Sequence, residues 1–186
     1  IIVINQFLLP YGNDKIAAMG IASKVSMIAQ LVLVGFSFGG IPLFGYLYGA
    51  KKRDVMRKLI RFCLTFLVSI AVVLSLILCL NSGALMRLFV QAGEVEVLAA
   101  GVRYLRIEGA CYVGIGCLFL LYGFYRAVKR PGMSVVLTVI SLGLRVALAY
   151  AFAPHFGVTA IWLAIPIGWF IADAVGLIRL KAALPH

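Results

Sequence analysis

Apolar residues run almost unbroken through residues 16–48, 61–80, 101–125, 133–153 and 158–178, and charged residues collect between these runs. A helix rising about 1.5 Å per residue needs about 20 consecutive apolar residues to cross a hydrocarbon core about 30 Å thick. Each run therefore predicts a membrane-spanning helix. The first is too long for one straight crossing, and Gly39-Gly40-Ile41-Pro42 is predicted to bend or break it near its end. Residues 1–10 are apolar but too short to span, and they read as the tail of a helix that starts before Ile1, closed by the turn Tyr11-Gly12-Asn13-Asp14. The longest connector, 81–100, is predicted to carry a short surface helix. The expected fold class is all-α, a polytopic membrane protein whose single domain, 1–186, is a six-helix transmembrane bundle with a truncated first helix.

Composition narrows the function classes. Hydrophobic residues make up 64% of the 186 and charged residues 12%, far from an ordinary water-soluble domain. The net charge of +11 raises nucleic acid as a partner, but nucleic-acid binding gathers cations on one face or groove. Here they flank the apolar runs, as a bilayer imposes, and no nucleic-acid partner is expected. Lys51, Lys52, Arg53, Arg57, Lys58 and Arg61 lie on one side, with Arg126, Lys129, Arg130, Arg179 and Lys181. The other side holds fewer: Lys15, Arg87, Arg103 and Arg106. The richer side, with the C-terminus, is predicted to face the cytoplasm of a cell membrane.

Covalent chemistry has little material. Cys63, Cys79, Cys111 and Cys117 form no CxxC pair, and His155 and His186 stand far apart, so no metal site is expected. Phosphate-cradling, zinc-protease and serine-hydrolase motifs are absent, and the chain does not read as an enzyme.

Four ionisable residues remain inside the spans: Lys24, Glu108, Arg145 and Asp173. A charge at the bilayer centre costs at least about 2.5 kcal/mol on insertion scales, so each predicts a partner or a wet cavity. Lys24, Glu108 and Arg145 share the outer third, which predicts that Glu108 pairs with Arg145 or, second, with Lys24. Asp173 falls near the cytoplasmic end of the last span. Helical spacing predicts one face of Tyr104, Glu108, Tyr112, Phe119 and Tyr122, suited to an organic cation through charge and cation–π attraction. Gly109, Gly116 and Gly123 recur every seven residues on an adjacent face and predict close helix packing. Ser23, Ser26, Gln30, Ser37 and Gly40 form a polar stripe, as do Ser134, Thr138, Ser141 and Arg145. The last span sets Trp162, Pro166, Trp169 and Asp173 on one face, where Pro166 can kink the helix.

The stretch Ile16-Ala17-Ala18-Met19-Gly20-Ile21-Ala22-Ser23-Lys24-Val25, followed by Gly40-Ile41-Pro42-Leu43-Phe44-Gly45-Tyr46-Leu47-Tyr48-Gly49-Ala50-Lys51-Lys52, resembles the start of the C-terminal lobe of multidrug and toxic compound extrusion (MATE) transporters. Tyr104-Leu105-Arg106-Ile107 and Gly123-Phe124-Tyr125-Arg126, ending in Arg130-Pro131, are similar to the fourth helix of that lobe and its exit. The resemblance implies one half of a twelve-helix, two-lobe carrier, whose partner is the N-terminal lobe of the same polypeptide. It implies an antiporter that exports amphipathic, often cationic, drugs or metabolites by alternating access, in exchange for Na⁺ or H⁺ and with no other cofactor. In some members a carboxylate on this lobe's first helix helps bind the cation, at a position that would fall before Ile1. Its counterpart would fall near Ile115 or Gly116, which carry no carboxylate. Glu108, Tyr112 and Arg145 are the leading candidates for coupling or cavity roles, with Gln30 and Asp173 next. A lipid-linked saccharide flippase of the wider superfamily would instead turn Arg145 and Lys24 toward an open interior. A non-transporting membrane scaffold would pack every polar stripe dry.

Overall fold

Helices follow the apolar runs because a backbone in lipid must satisfy its own N–H and C=O groups. The computed structural model describes residues 2–91 and 93–184, so Ile1 and His186 lie outside the described residues. α1 (Ile2–Leu8) leads through a 3₁₀ turn, Leu9–Tyr11, to Gly12, whose φ of 100° reverses the chain into α2 (Asn13–Gly39). α3 (Ile41–Gly49) continues α2 after one residue, and the two form a single 37-residue candidate span, Asn13–Gly49. The expected break at Gly40 is thus only an interruption, bridged by the Phe44 amide donating to the Gly40 carbonyl at 3.0 Å.

α4 (Arg53–Leu80) starts eight residues earlier than hydropathy predicts, because Arg53, Arg57, Lys58 and Arg61 ride on its first turns. The connector 81–100 does contain a short helix, α5 (Ser82–Arg87). The fourth run is not one helix. α6 (Val95–Ala110) and α7 (Tyr112–Ala127) meet at Cys111 with a bend of 55°. α8 (Pro131–Phe156) and α9 (Val158–Ala183) form a hairpin about the single residue Gly157, at φ 65°, and make the most extensive helix pairing in the lobe. Pro166 sits inside α9 without ending it. Among the described residues, four helices are long and apolar enough to cross a membrane, or five when the bent pair counts as one. This is an all-α, multi-pass membrane bundle.

Small residues bring the helices together. A Cβ on Gly109 would meet Leu78 of α4 at 3.1 Å, and one on Gly116 would meet Ala71 of α4 and Leu33 of α2 at 3.6 Å. One on Gly123 would lie 2.9 Å from the Ser37 carbonyl oxygen of α2. The seven-residue glycine repeat is therefore a packing seam, as its spacing predicts, even across the break. Charges sort by bundle end. Tyr11 donates to the Ala153 carbonyl at 2.8 Å and Lys15 meets Glu96 at 3.4 Å at one end, while Arg57, Arg61 and Lys181 border a common groove at the other. Both basic turns on that second end use one device. Lys51 and Lys129 take φ of 54° and 57°, and the next amides reach back, Lys52 to Leu47 at 3.1 Å and Arg130 to Tyr125 at 2.9 Å. These are left-handed helix caps in which lysine occupies the position that glycine usually fills.

Candidate functional site

A cavity of about 300 Å³ opens among α2, α6, α7, α8 and α9, and it gathers two of the three ionisable groups that the sequence places at one depth. Glu108 of α6, Arg145 of α8 and Ser23 and Gln30 of α2 border it, with Tyr104 and Trp169 among its aromatic walls. Such a mixture, apolar walls with a few convergent polar groups, is the usual make-up of a small-molecule site.

Local structure explains why Glu108 is there. α6 lies along α2 over a long interface and makes no comparable one with α8, so the last turn of α6 faces α2 serines. Glu108 is 5% exposed, and its Oε2 accepts a hydrogen bond from the Ser26 hydroxyl at 2.6 Å. The Ser26 peptide is held in turn by Tyr112, whose hydroxyl donates to the Ser26 carbonyl oxygen at 2.5 Å. Because Tyr112 is the first residue beyond the break, one short circuit ties α2 to both arms of the bent helix. A hydrogen bond to an ionised group contributes about 1.5–3 kcal/mol, against about 0.5–1.5 kcal/mol between neutral groups.

The expected ion pair is absent. Among the described residues, Lys15–Glu96 at 3.4 Å and Arg57–Asp54 at 3.9 Å are the pairs within ion-pair distance. Glu108 bonds Ser26 instead, because the docking of α6 on α2 brings a hydroxyl to the carboxylate before the α8 guanidinium. Arg145 borders the same cavity, and its Nε is buried without a hydrogen-bond partner among the described residues. Lys24 is exposed on the outer face of α2 and does not line the cavity.

The predicted aromatic face also divides at the break. Tyr104 and Glu108 border the cavity, but Tyr112 is fully buried outside its lining, and Phe119 packs edge-on to Tyr122 with ring centres 6.3 Å apart. Asp173 stands apart from the cavity: it is 6% exposed, and its Oδ1 has no hydrogen-bond partner among the described residues. The Ser134 stripe divides: Ser134 donates to the Tyr122 carbonyl of α7 at 3.3 Å and Thr138 to the Ser134 carbonyl of its own helix at 2.9 Å, while Arg145 borders the cavity. Of the leading candidates, then, Glu108, Arg145 and Gln30 share the cavity, Tyr112 positions Ser26, and Asp173 is separate. Sequence reasoning placed Ser26 on a polar stripe without assigning it to Glu108. It passed over Trp169 and Ile115 as cavity walls, although Trp169 lay on the face it drew for the last span.

Comparison with known proteins places this geometry. Multidrug export protein MepA of Staphylococcus aureus (strain MSSA476) is 24% identical over 187 residues, covering 98% of this chain and 39% of that protein. "Probable multidrug resistance protein NorM" of Rhizobium meliloti (strain 1021) is 28% identical over 176 residues, covering 91% of this chain and 37% of the relative. The chain thus spans about two fifths of the length of these curated relatives. Among solved structures, the outward-facing conformation of a multidrug resistance MATE family transporter of the MOP superfamily superposes with a TM-score of 0.91 at 18% identity, over all of this chain and 43% of the other. A MOP superfamily transporter from Pyrococcus furiosus, described by a binding pocket of reversed polarity suggesting a different function, matches with a TM-score of 0.90 at 18% identity, over 98% of this chain and 42% of that one. The two share the fold of this bundle. The MatE family model matches residues 2–151, well over half of the chain, and the chain belongs to that family.

Proposed function

We propose that this bundle is one lobe of a secondary active exporter that extrudes amphipathic, often cationic, organic molecules by alternating access, in exchange for Na⁺ or H⁺. The observation that carries the reading is the buried Glu108 carboxyl, held by Ser26 at 2.6 Å at the margin of an aromatic-walled cavity. A carboxylate in that setting attracts an organic cation, and it can exchange that cation for a small one or a proton. The second partner is an N-terminal lobe of the same polypeptide, and the site of action is a cell membrane with the C-terminus in the cytoplasm. The greater length of the named relatives and the sorting of Lys and Arg to one bundle end support those two points. No enzymatic step and no further cofactor enter the cycle.

The saccharide-flippase reading draws on Arg145, whose guanidinium borders the cavity without an acidic partner among the described residues, but Lys24 lies outside it. The scaffold reading needs a dry polar stripe, whereas Ser23 and Gln30 border open space. The test is efflux of a fluorescent organic cation from vesicles containing the full-length protein, with Na⁺ and pH gradients imposed separately. Export is expected to follow one of the two gradients. Export indifferent to both would refute the exchange mechanism.

A further inference from the structure

Asp173 is a buried ionisable group that the Glu108 cavity leaves unused. It follows Trp169, a wall of that cavity, by four residues of α9, and so lies about 6 Å further toward the Lys181 end at about 1.5 Å per residue. The residue is 6% exposed, and its Oδ1 has no hydrogen-bond partner among the described residues. Close helix contacts bracket it. A Cβ on Gly168 would lie 2.6 Å from the Ser141 carbonyl oxygen of α8, and one on Gly176 would meet Leu121 of α7 at 2.6 Å and Leu137 of α8 at 3.3 Å. Enclosed this far within its own lobe, Asp173 is also out of reach of a side chain from a neighbouring body.

No positive charge answers it. α7 brings Cys117 and Tyr122 within electrostatic reach, and neither is a cation. Tyr104 and Glu108 of α6 and Arg145 of α8 border the cavity, which Asp173 does not line, and α1 carries no titratable side chain. Arg179 and Lys181 of α9 itself lie beyond it at the basic end of the bundle. The Thr138 hydroxyl is committed to the Ser134 carbonyl at 2.9 Å. An ionised carboxylate here would be neither hydrated nor paired, the costliest state a side chain can take in lipid. A neutral acid sheds the charge and gains a hydroxyl that can donate to a backbone carbonyl. A metal cation would also cancel the charge, but hard cations take several oxygen ligands at once, and among the described residues no three of His, Cys, Asp and Glu come together. A proton needs only the carboxyl.

We propose that Asp173 is a proton-binding site separate from the Glu108 cavity, which holds one proton while α9 is closed on α7 and α8 and releases it only when that seam parts and water enters. The state of this one carboxyl is thereby linked to the packing of α8 and α9, the most extensive helix pairing in the lobe. The inference does not rest on what the lobe exports or on which cation Glu108 exchanges.

The test is infrared difference spectroscopy of the full-length protein in lipid vesicles at neutral pH, where the carbonyl stretch of a neutral carboxylic acid separates from that of a carboxylate. Asp173→Asn is expected to remove one acid band per polypeptide and no carboxylate band, and the same loss is expected in a Glu108→Gln background. Asparagine matches the neutral acid in size and polarity, so the variant is expected to fold. While the acid band persists, backbone amide exchange across 165–177, read by mass spectrometry, is expected to gain about tenfold per pH unit over that of Asp173→Asn, because each opening releases one proton. Loss of a carboxylate band instead, or exchange that tracks the asparagine variant at every pH, overturns the proposal. So does an asparagine variant that fails to fold, or an acid band that Na⁺ abolishes at constant pH, which would mark a metal-cation site.

Discussion

Replacing Glu108 with glutamine separates a transport role from a structural one, because the two substitutions around this bond act with opposite sign on stability. Glutamine keeps the length of the side chain and an oxygen that can accept from the Ser26 hydroxyl, which lies 2.6 Å from the carboxylate. It exchanges a charge-assisted bond of about 1.5–3 kcal/mol for a neutral one of about 0.5–1.5 kcal/mol, a loss of about 1 kcal/mol. Against that stands the relief of burying a carboxylate at 5% exposure, a cost of several kcal/mol whenever it is ionised. The glutamine variant is therefore expected to be as stable as the parent or more so. Ser26→Ala does the reverse: it strips the donor and leaves the carboxyl in place, costing about 1.5–3 kcal/mol. The assay pairs thermal unfolding of the full-length protein in detergent with vesicle efflux. Glu108→Gln is expected to unfold no earlier than the parent while export falls at least about tenfold, the equivalent of about 1.4 kcal/mol in coupling. Ser26→Ala is expected to unfold earlier. A stable Glu108→Gln variant that exports at the parental rate would show that the carboxyl only joins α6 to α2.

Further substitutions test the packing and the topology. Gly168→Ala sets a Cβ 2.6 Å from the Ser141 carbonyl oxygen, which is backbone and cannot swing away, so it is expected to cost about 1–3 kcal/mol in thermal unfolding. Gly20→Ala meets nothing within 4 Å and is expected to stabilise by up to about 1 kcal/mol through helix propensity. If both shift the melting point alike, the close α8–α9 contact is wrong. Lys129→Gly relieves a φ of 57° at the end of α7 and is expected to raise stability by about 1 kcal/mol, an effect lost if that turn is not left-handed. In a background with the four cysteines replaced by serine, Asp54→Cys and Glu94→Cys are expected to react with an impermeant maleimide from opposite faces of the membrane, Asp54→Cys from the cytoplasm. Labelling of both from one face would remove the α4 crossing.

The sequence made depth legible but not azimuth. Hydropathy marked the runs that became the long helices, and small-residue spacing located the seam of Gly109, Gly116 and Gly123, because both are one-dimensional consequences of a helix in lipid. Lys24, Glu108 and Arg145 were likewise assigned one level, yet a common level is a ring of positions around the bundle, and only docking says which of them touch. α6 docked on α2, so a serine hydroxyl took the place expected of a guanidinium, and Lys24 turned outward. The break at Cys111 was illegible for a related reason. No proline marks it, and the apolar run continues through it; it is held by tertiary contacts, with Gly109 pressed on Leu78 on one side and Tyr112 bonded to the Ser26 carbonyl on the other. That break lets one bent span present Glu108 to the cavity while most of its second half packs between α4 and α9, with Ile115 at the cavity wall. Bend and carboxylate thus share one anchor on α2, the Ser26 hydroxyl on Glu108 and the Ser26 carbonyl oxygen under Tyr112.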